Sequence, residues 1–279
     1  MPLSKTKTST AKRLKKATEN KMINIENSSQ DKVQEKIVAM REGGKILGNL
    51  LRDLKEYVKP GMTGKEIDAW VRKEIIKRGA KVAYDMLDEE FPGAICISVN
   101  DELVHGAPKD EPLEKGDKVI FALDIYYKGY FTDSAFTMLV GGEGSPAVKK
   151  MISVTESSMW EGIEQVKPGA TIGTIGYAVE QVLRKDHLGV IENYVGHGID
   201  KEMHSAPEVP NYGKKGHGYK LVEGDTICIE PMSCLGKPAN HIEGDDNWTV
   251  KMNDGSIGCH CEHTVLVTKD GFEVLTLPD

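Results

Sequence analysis

Between residues 31 and 57 apolar side chains recur at Val33, Ile37, Met40, Ile46, Leu47, Leu50, Leu51 and Leu54, the three-and-four spacing of one helix face. Val58-Lys59-Pro60-Gly61 breaks that helix. Thr63-Gly64-Lys65-Glu66 is a capping box, and Ile67, Trp70, Val71 and Ile75 form the apolar stripe of a second helix. The period then changes. Ala94 to Val99 reads as a strand that delivers Asn100-Asp101 to a turn. Helical spacing returns at Val148, Met151, Ile152, Val154 and Met159, after a loop over residues 141–147.

The most informative pattern lies between these, from Val119 to Met138. Apolar, β-branched and aromatic residues crowd two arms around Lys128-Gly129, a two-residue turn with Gly where a positive φ is expected. A hairpin centred there pairs Tyr127 with Tyr130 and Asp124 with Asp133. Directly opposed residues share a face, so two carboxylates stand side by side in an otherwise apolar ribbon. Ionised, they repel each other and resist burial. A shared proton, basic neighbours or metal cations would neutralise them.

The pattern also repeats. Val166-Lys167-Pro168-Gly169 echoes Val58-Lys59-Pro60-Gly61, and an amphipathic helix follows each. Met203-His204-Ser205-Ala206-Pro207 echoes Val104-His105-Gly106-Ala107-Pro108, and Glu223-Gly224-Asp225 echoes Lys115-Gly116-Asp117. The strand after the last pair carries Asp124 in the first half and Glu230 in the second. A later strand carries Asp133 in the first and Glu262 in the second. This predicts an α+β fold of one duplicated unit about a pseudo-twofold axis. Its strands join in a single curved antiparallel sheet, its helices cover one side, and the acids and histidines meet near the axis.

Charge separates one end of the chain from the rest. Residues 1–22 carry Lys5, Lys7, Lys12, Arg13, Lys15, Lys16 and Lys21 against Glu19 alone, a surplus of +6 on a chain whose net charge is −7. We read residues 1–30 as a basic, flexible N-terminal arm and residues 31–279 as a single catalytic domain. Such an arm suits a weak, salt-dependent hold on ribosomal RNA. Five cysteines at no disulfide-like spacing suggest reduced thiols and a cytoplasmic setting. No stretch approaches the ~18 consecutive apolar residues of a membrane span.

Asp124, Asp133, Glu230 and Glu262 together carry a charge that two divalent cations would balance. His197, between Gly196 and Gly198, adds an imidazole that backbone or ligand can approach closely. Four carboxylates and an imidazole are an oxygen-rich set suited to a pair of Mn, Fe, Co or Zn ions. Two such ions generate a hydroxide nucleophile near neutral pH and polarise a carbonyl. A competing zinc site would use Cys259, Cys261 and His263, which share one face of a strand while His260 and Glu262 share the other.

From about Val33 to Leu277 the chain resembles the type I methionine aminopeptidases, with their creatinase-like pita-bread fold. The resemblance is carried by ISVNDELVHGAP, GYFTD, YVGHGID with His204 seven residues after His197, ICIEPM, DNWTVKMNDGS and CHCEHTVLVT. It implies two divalent metal ions held by Asp124, Asp133, His197, Glu230 and Glu262, with Asp133 and Glu262 bridging. It implies that His105 and His204 contact the substrate amine and the scissile carbonyl, and that Glu230 also handles protons. Phe91, Cys96, Met203 and Trp248 would form the methionine pocket. The implied activity is removal of the initiator methionine from nascent polypeptides by a monomer, with a small second residue preferred. Three features depart from the family pattern. The hairpin is two residues shorter between its aspartates, an even change that keeps both on one face. Asp200 stands where Gly is usual, and Ser205 where Glu is frequent. A Xaa-Pro peptidase shares the ligand set, but there Glu262 is typically followed by Asp rather than His263.

Overall fold

The structure is a computed structural model. It describes the backbone of residues 7–87, 90–242 and 245–279, and side chains from residue 31 onward. Residues 39–279 form one compact unit, and residues 1–38 separate from it as another. Helix α1 (Lys7–Tyr57) crosses that boundary. Its backbone is helical through residues 7–30, where the sequence suggested a flexible arm. Lys, Ala, Arg, Leu, Met and Glu dominate residues 11–22, all strong helix formers, and no Gly or Pro interrupts the helix before Gly43. Residues 1–6 of the arm, Lys5 among them, lie outside the described residues.

The helix ends at Tyr57, immediately before the Val58-Lys59-Pro60-Gly61 break. Helix α2 (Gly64–Lys77) starts at the expected capping box. The Glu66 amide donates to Thr63 Oγ1 at 3.1 Å, and the Thr63 amide donates to Glu66 Oε2 at 2.9 Å. Helix α3 (Pro146–Ile163) begins inside the stretch read as a loop, because Ser145 caps it and Pro146 takes the first turn, where a missing N–H costs nothing. Helix α4 (Ile172–Lys185) follows the second Val-Lys-Pro-Gly segment as α2 follows the first.

The first half contributes β1 (Lys81–Val82), β2 (Cys96–Val99), β3 (Glu102–Val104), β4 (Lys118–Tyr127) and β5 (Tyr130–Leu139). The second contributes β6 (Gly189–Val190), β7 (Gly196–Gly198), β8 (Ser205–Val209), β9 (Thr226–Ile229), β10 (Met232–Cys234), β11 (Asn240–Ile242), β12 (Val250–Met252), β13 (Gly258–His260), β14 (Glu262–Val267) and β15 (Phe272–Val274). The main sheet runs β1-β4-β5-β14-β9-β7-β8, with β2 on β4 and β15 on β14, and all of these pairings are antiparallel. Its middle is β4-β5 from one half against β14-β9 from the other, the twofold order expected of the duplication. Not all strands join it. Two three-stranded sheets, β13-β10-β6 and β11-β12-β3, stand apart, so the single sheet of the sequence reading is a principal sheet with two small companions.

The β4–β5 register is the one the turn dictates: Tyr127 opposes Tyr130 and Asp124 opposes Asp133. Lys128 and Gly129 both have positive φ, 48° and 95°, the pattern of a type I′ turn. Each half buries its own apolar cluster. Leu47, Leu54, Ile67, Ile75, Phe121 and Leu123 centre the first. Met151, Ile163, Ile175, Leu183, Ile227 and Val265 centre the second.

Candidate metal centre

Asp124 and Asp133 reach the site from the two arms of the hairpin, side by side and buried. Their backbone is held from the far half. Thr264 Oγ1 accepts from the Asp133 amide at 3.0 Å and donates to its carbonyl at 2.7 Å. Glu262 opens β14 opposite Ala135, and Ser134 Oγ donates to the Glu262 carbonyl at 2.7 Å. Glu230 follows the apolar strand β9, with its carbonyl accepting from Asn211 Nδ2 at 3.1 Å. His197 sits in the middle of β7 between two glycines. Its Nδ1 lies 3.1 Å from the Gly198 carbonyl, and its Nε2 stands 3.4 Å from Glu230 Oε1. A side chain on Gly196 or Gly198 would strike the backbone of Cys228 or Ala206. Those glycines therefore let β7 lie close to its neighbours with the imidazole facing the acids.

These groups line one cleft of about 160 Å³, together with Tyr84, Cys96, Val104, His105, Tyr194, His204, Met232 and His260. A larger cavity of about 350 Å³ borders the same strands β5 and β14, lined by Leu51, Phe136, Ile152, Met159, Trp160 and His263. Chemistry rather than volume decides between them, because the four carboxylates converge in the smaller one.

Burial dominates the electrostatics of the cleft. Burial, and then the neighbouring Asp133, pushes the Asp124 carboxyl well above its usual range. Burial, followed by Asp133, Glu230 and Asp124, does the same to Glu262. Burial raises Glu230 to about 8 against the opposing pull of His197. Burial lowers His197, and it lowers His105 to about 4, which keeps both imidazoles neutral at pH 7. One oxygen each of Asp124, Asp133, Glu230 and Glu262 is buried with no hydrogen-bond partner. Buried acceptors of this kind are normally satisfied, and divalent cations would satisfy all four at once. Donor atoms of Asp133, His197, Cys228 and Glu262 lie within 4.8 Å of one another, as do those of Glu230, His260 and Glu262. Asp124 adjoins the first group through Asp133 without belonging to it. Cys228 is there as a thiol, its pKa pushed up by burial. The residues present fit a pair of divalent ions that share Glu262.

His105 and His204 enter from opposite halves. His105 has a left-handed φ of 54° and meets Tyr194 edge-on at 5.9 Å. His204 packs edge-on against His197 at 4.5 Å. The expected methionine pocket is only partly assembled here. Cys96 lines the cleft, 3.2 Å from the Tyr84 hydroxyl. Phe91 and Trp248 stand behind Tyr84 in an aromatic chain, with centroids 4.5 Å and then 5.4 Å apart. Met203 lines a neighbouring cavity with Tyr126, Phe131 and His204. Asp200, one of the departures, accepts at its carbonyl from the Phe131 amide at 2.7 Å and so joins the loop after β7 to β5.

Tyr84, Tyr194 and His260 were not singled out as site residues from the sequence. Only His260 left a trace there, since it shares strand parity with Glu262. Cys259 and Cys261, the alternative zinc ligands, belong to the apolar cluster of the second half, where Cys259 Sγ donates to Thr137 Oγ1 at 3.4 Å. His263 Nδ1 lies 2.8 Å from Thr276 Oγ1.

Residues 38–269 match the profile of metallopeptidase family M24. The methionine aminopeptidase of Mycoplasma capricolum is 40% identical over 255 residues, covering 91% of this chain and 98% of the relative. Methionine aminopeptidase 1 of Bacillus subtilis is 37% identical, covering 85% of this chain and 94% of the relative. The crystal structure of methionine aminopeptidase from Rickettsia prowazekii superposes with a TM-score of 0.84 at 36% identity, covering 88% of this chain and 98% of the other.

Proposed function

The chain belongs to metallopeptidase family M24 and, within it, to the methionine aminopeptidases, and from that premise we propose that it removes N-terminal methionine from nascent polypeptides through a metal-dependent hydrolysis in the cleft between its two halves. The observation that carries this reading is the convergence of four buried carboxylates, each with an unpartnered oxygen, beside four imidazoles.

Asp124, Asp133, His197, Glu230 and Glu262 would hold two divalent ions, of Co, Mn, Fe or Zn. Bound there, the ions supply Lewis acidity to a carbonyl and lower the pKa of water. The remaining work falls to side chains of this chain. Glu230, buried just after β9 beside His197, accepts a proton at the start of hydrolysis and returns one to the leaving amine. His105 and His204 flank the bond to be cut and offer N–H donors to the developing oxyanion and to the substrate's terminal amine end. Cys96 and Tyr84 line one wall of the cleft, with Phe91 and Trp248 behind it. Met203 lines the adjoining cavity, where the chain beyond the scissile bond would leave.

The basic segment of residues 1–22 supports a second, compatible role, a salt-dependent hold on ribosomes in the cytoplasm. No described helix is long and apolar enough to cross a membrane. Release of methionine from Met-Ala-Ser, measured after reconstitution with Mn, Co or Fe, tests the main reading, with Lys-Ala-Ser and Ala-Pro-Ala alongside. Methionine release should dominate. Equal cleavage of Lys-Ala-Ser would remove the apolar pocket, and cleavage of Ala-Pro-Ala alone would make the protein a Xaa-Pro peptidase.

A further inference from the structure

His260 has no role in the reading above, yet its ring faces two of the carboxylates. It ends β13, two residues before Glu262, and is only 3% exposed. Its backbone is pinned from the other half of the molecule. Thr137 Oγ1 donates to the His260 carbonyl at 2.6 Å and lies 3.2 Å from its amide as acceptor. Thr264 holds the backbone of Asp133 in the same two-sided way. The ring is thereby aimed. Nε2 stands 3.4 Å from Glu230 Oε2 and 3.7 Å from Glu262 Oε2, and neither ring nitrogen has a hydrogen-bond partner.

A buried imidazole with both nitrogens unsatisfied is unusual in a core. Beside it, Glu230 and Glu262 each bury an unpartnered oxygen. A cation between His260 Nε2 and the two carboxylates would give that nitrogen a partner, and donor atoms of Glu230, His260 and Glu262 all lie within 4.8 Å of one another. Ligands about 2.1 Å from a shared ion stand roughly 3.0–3.5 Å from each other in octahedral or tetrahedral arrays. The distances from Nε2 to the two carboxylates are close to such an edge, so little movement is needed.

We propose that His260 is a protein ligand to one of the two cations, completing a Glu230–His260–Glu262 site that shares Glu262 with the site built on Asp133 and His197. The assignment rests on the two-cation reading of the cleft. It gives each ion an imidazole, where the ligand set read from the sequence has one imidazole for the pair. A second nitrogen donor shifts the pair toward Fe, Co, Ni and Zn and away from Mn and Mg, because imidazole suits the former and water and carboxylate the latter.

The test uses the full chain, stripped with chelator and titrated with cobalt(II), with calorimetry and visible absorption as readouts. His260→Gln keeps a polar side chain of similar reach. His241→Gln, at an exposed position, serves as control. The weaker cobalt site of His260→Gln should lose about tenfold or more in affinity, and its absorption bands should shift. Circular dichroism of the stripped proteins checks that the variant folds. If it does not, X-ray absorption of the cobalt-loaded wild type decides: two imidazoles per cobalt pair support the assignment and one overturns it. Unchanged affinity and spectrum in His260→Gln overturn this assignment alone. A wild-type protein that takes up no cobalt overturns the two-cation reading, and this one with it.

Discussion

Individual side chains in the cleft combine two demands that separate on substitution. In the proposed mechanism Glu230 both holds a cation and carries a proton. Glu230→Gln keeps its shape and an acceptor oxygen but removes the charge and the basicity. It should retain part of the metal while kcat falls by about 10²–10⁴-fold. Asp133→Asn should instead empty at least one site, because the proposed reading makes Asp133 a ligand and gives it no proton to carry. Metal per chain and kcat, measured on both variants, distinguish the roles; full metal occupancy in Asp133→Asn would remove Asp133 from the ligand set. A second residue matters to stability rather than to chemistry. Lys118 is fully buried, with Nζ donating to the Glu102 carbonyl at 2.8 Å, and burial lowers its pKa from 10.5 to about 8. Between those values the unfolded chain binds the proton and the folded chain does not, so stability rises with pH there and the gain is lost as pH falls through about 8. From pH 8 to pH 10 the wild type should gain about 2 kcal/mol relative to Lys118→Met in urea unfolding. A constant difference between the two proteins would contradict this. Lys118 reads as an ordinary polar residue in the sequence. Its burial follows from strands β2 and β3 folding over the start of β4, a contact no local pattern records.

At the level of elements, local chemistry was legible wherever a residue's own neighbours decide the outcome. The β4–β5 register follows from the two-residue turn, and the start of α2 from its capping box. The sheet organisation was less so: β13 and β14 read as one strand, yet β13 pairs with β10 and β14 with β5 and β9, with Cys261 at the switch. Strand parity survives the switch, which is why His260 and Glu262 both reach the cleft. Helix α1 shows another long-range constraint. A side chain on Gly44 would meet the Leu275 carbonyl, and one on Gly48 the Thr276 carbonyl. In an open helix Gly→Ala gains about 1 kcal/mol. Here the backbone contact dominates, and Gly44→Ala should destabilise by about 1–3 kcal/mol. Chemical denaturation measures the sign directly, and a more stable variant would mean the C-terminal segment moves aside at little cost.

For the whole molecule, the basic arm and the catalytic unit should be separable. Deleting residues 1–22 should leave tripeptide cleavage unchanged while abolishing a ribosome affinity that weakens as salt rises. Loss of tripeptide hydrolysis, or ribosome binding indifferent to salt, would contradict the respective half of that expectation. The sequence alone determined the duplicated α+β plan, the turn that opposes Asp124 to Asp133, and the acids that converge, because periodicity, turn chemistry and strand parity act over a few residues. The tertiary structure decided how close those acids come to one another across the halves, that His260 joins Glu230 and Glu262, that Tyr84 rather than Phe91 faces the cleft, and that Met203 borders the adjoining cavity. These depend on how β13 and β14 part at Cys261 and how the loops stack over the sheet. Distances between residues a hundred or more positions apart are set by packing, and packing leaves no periodic mark on the chain.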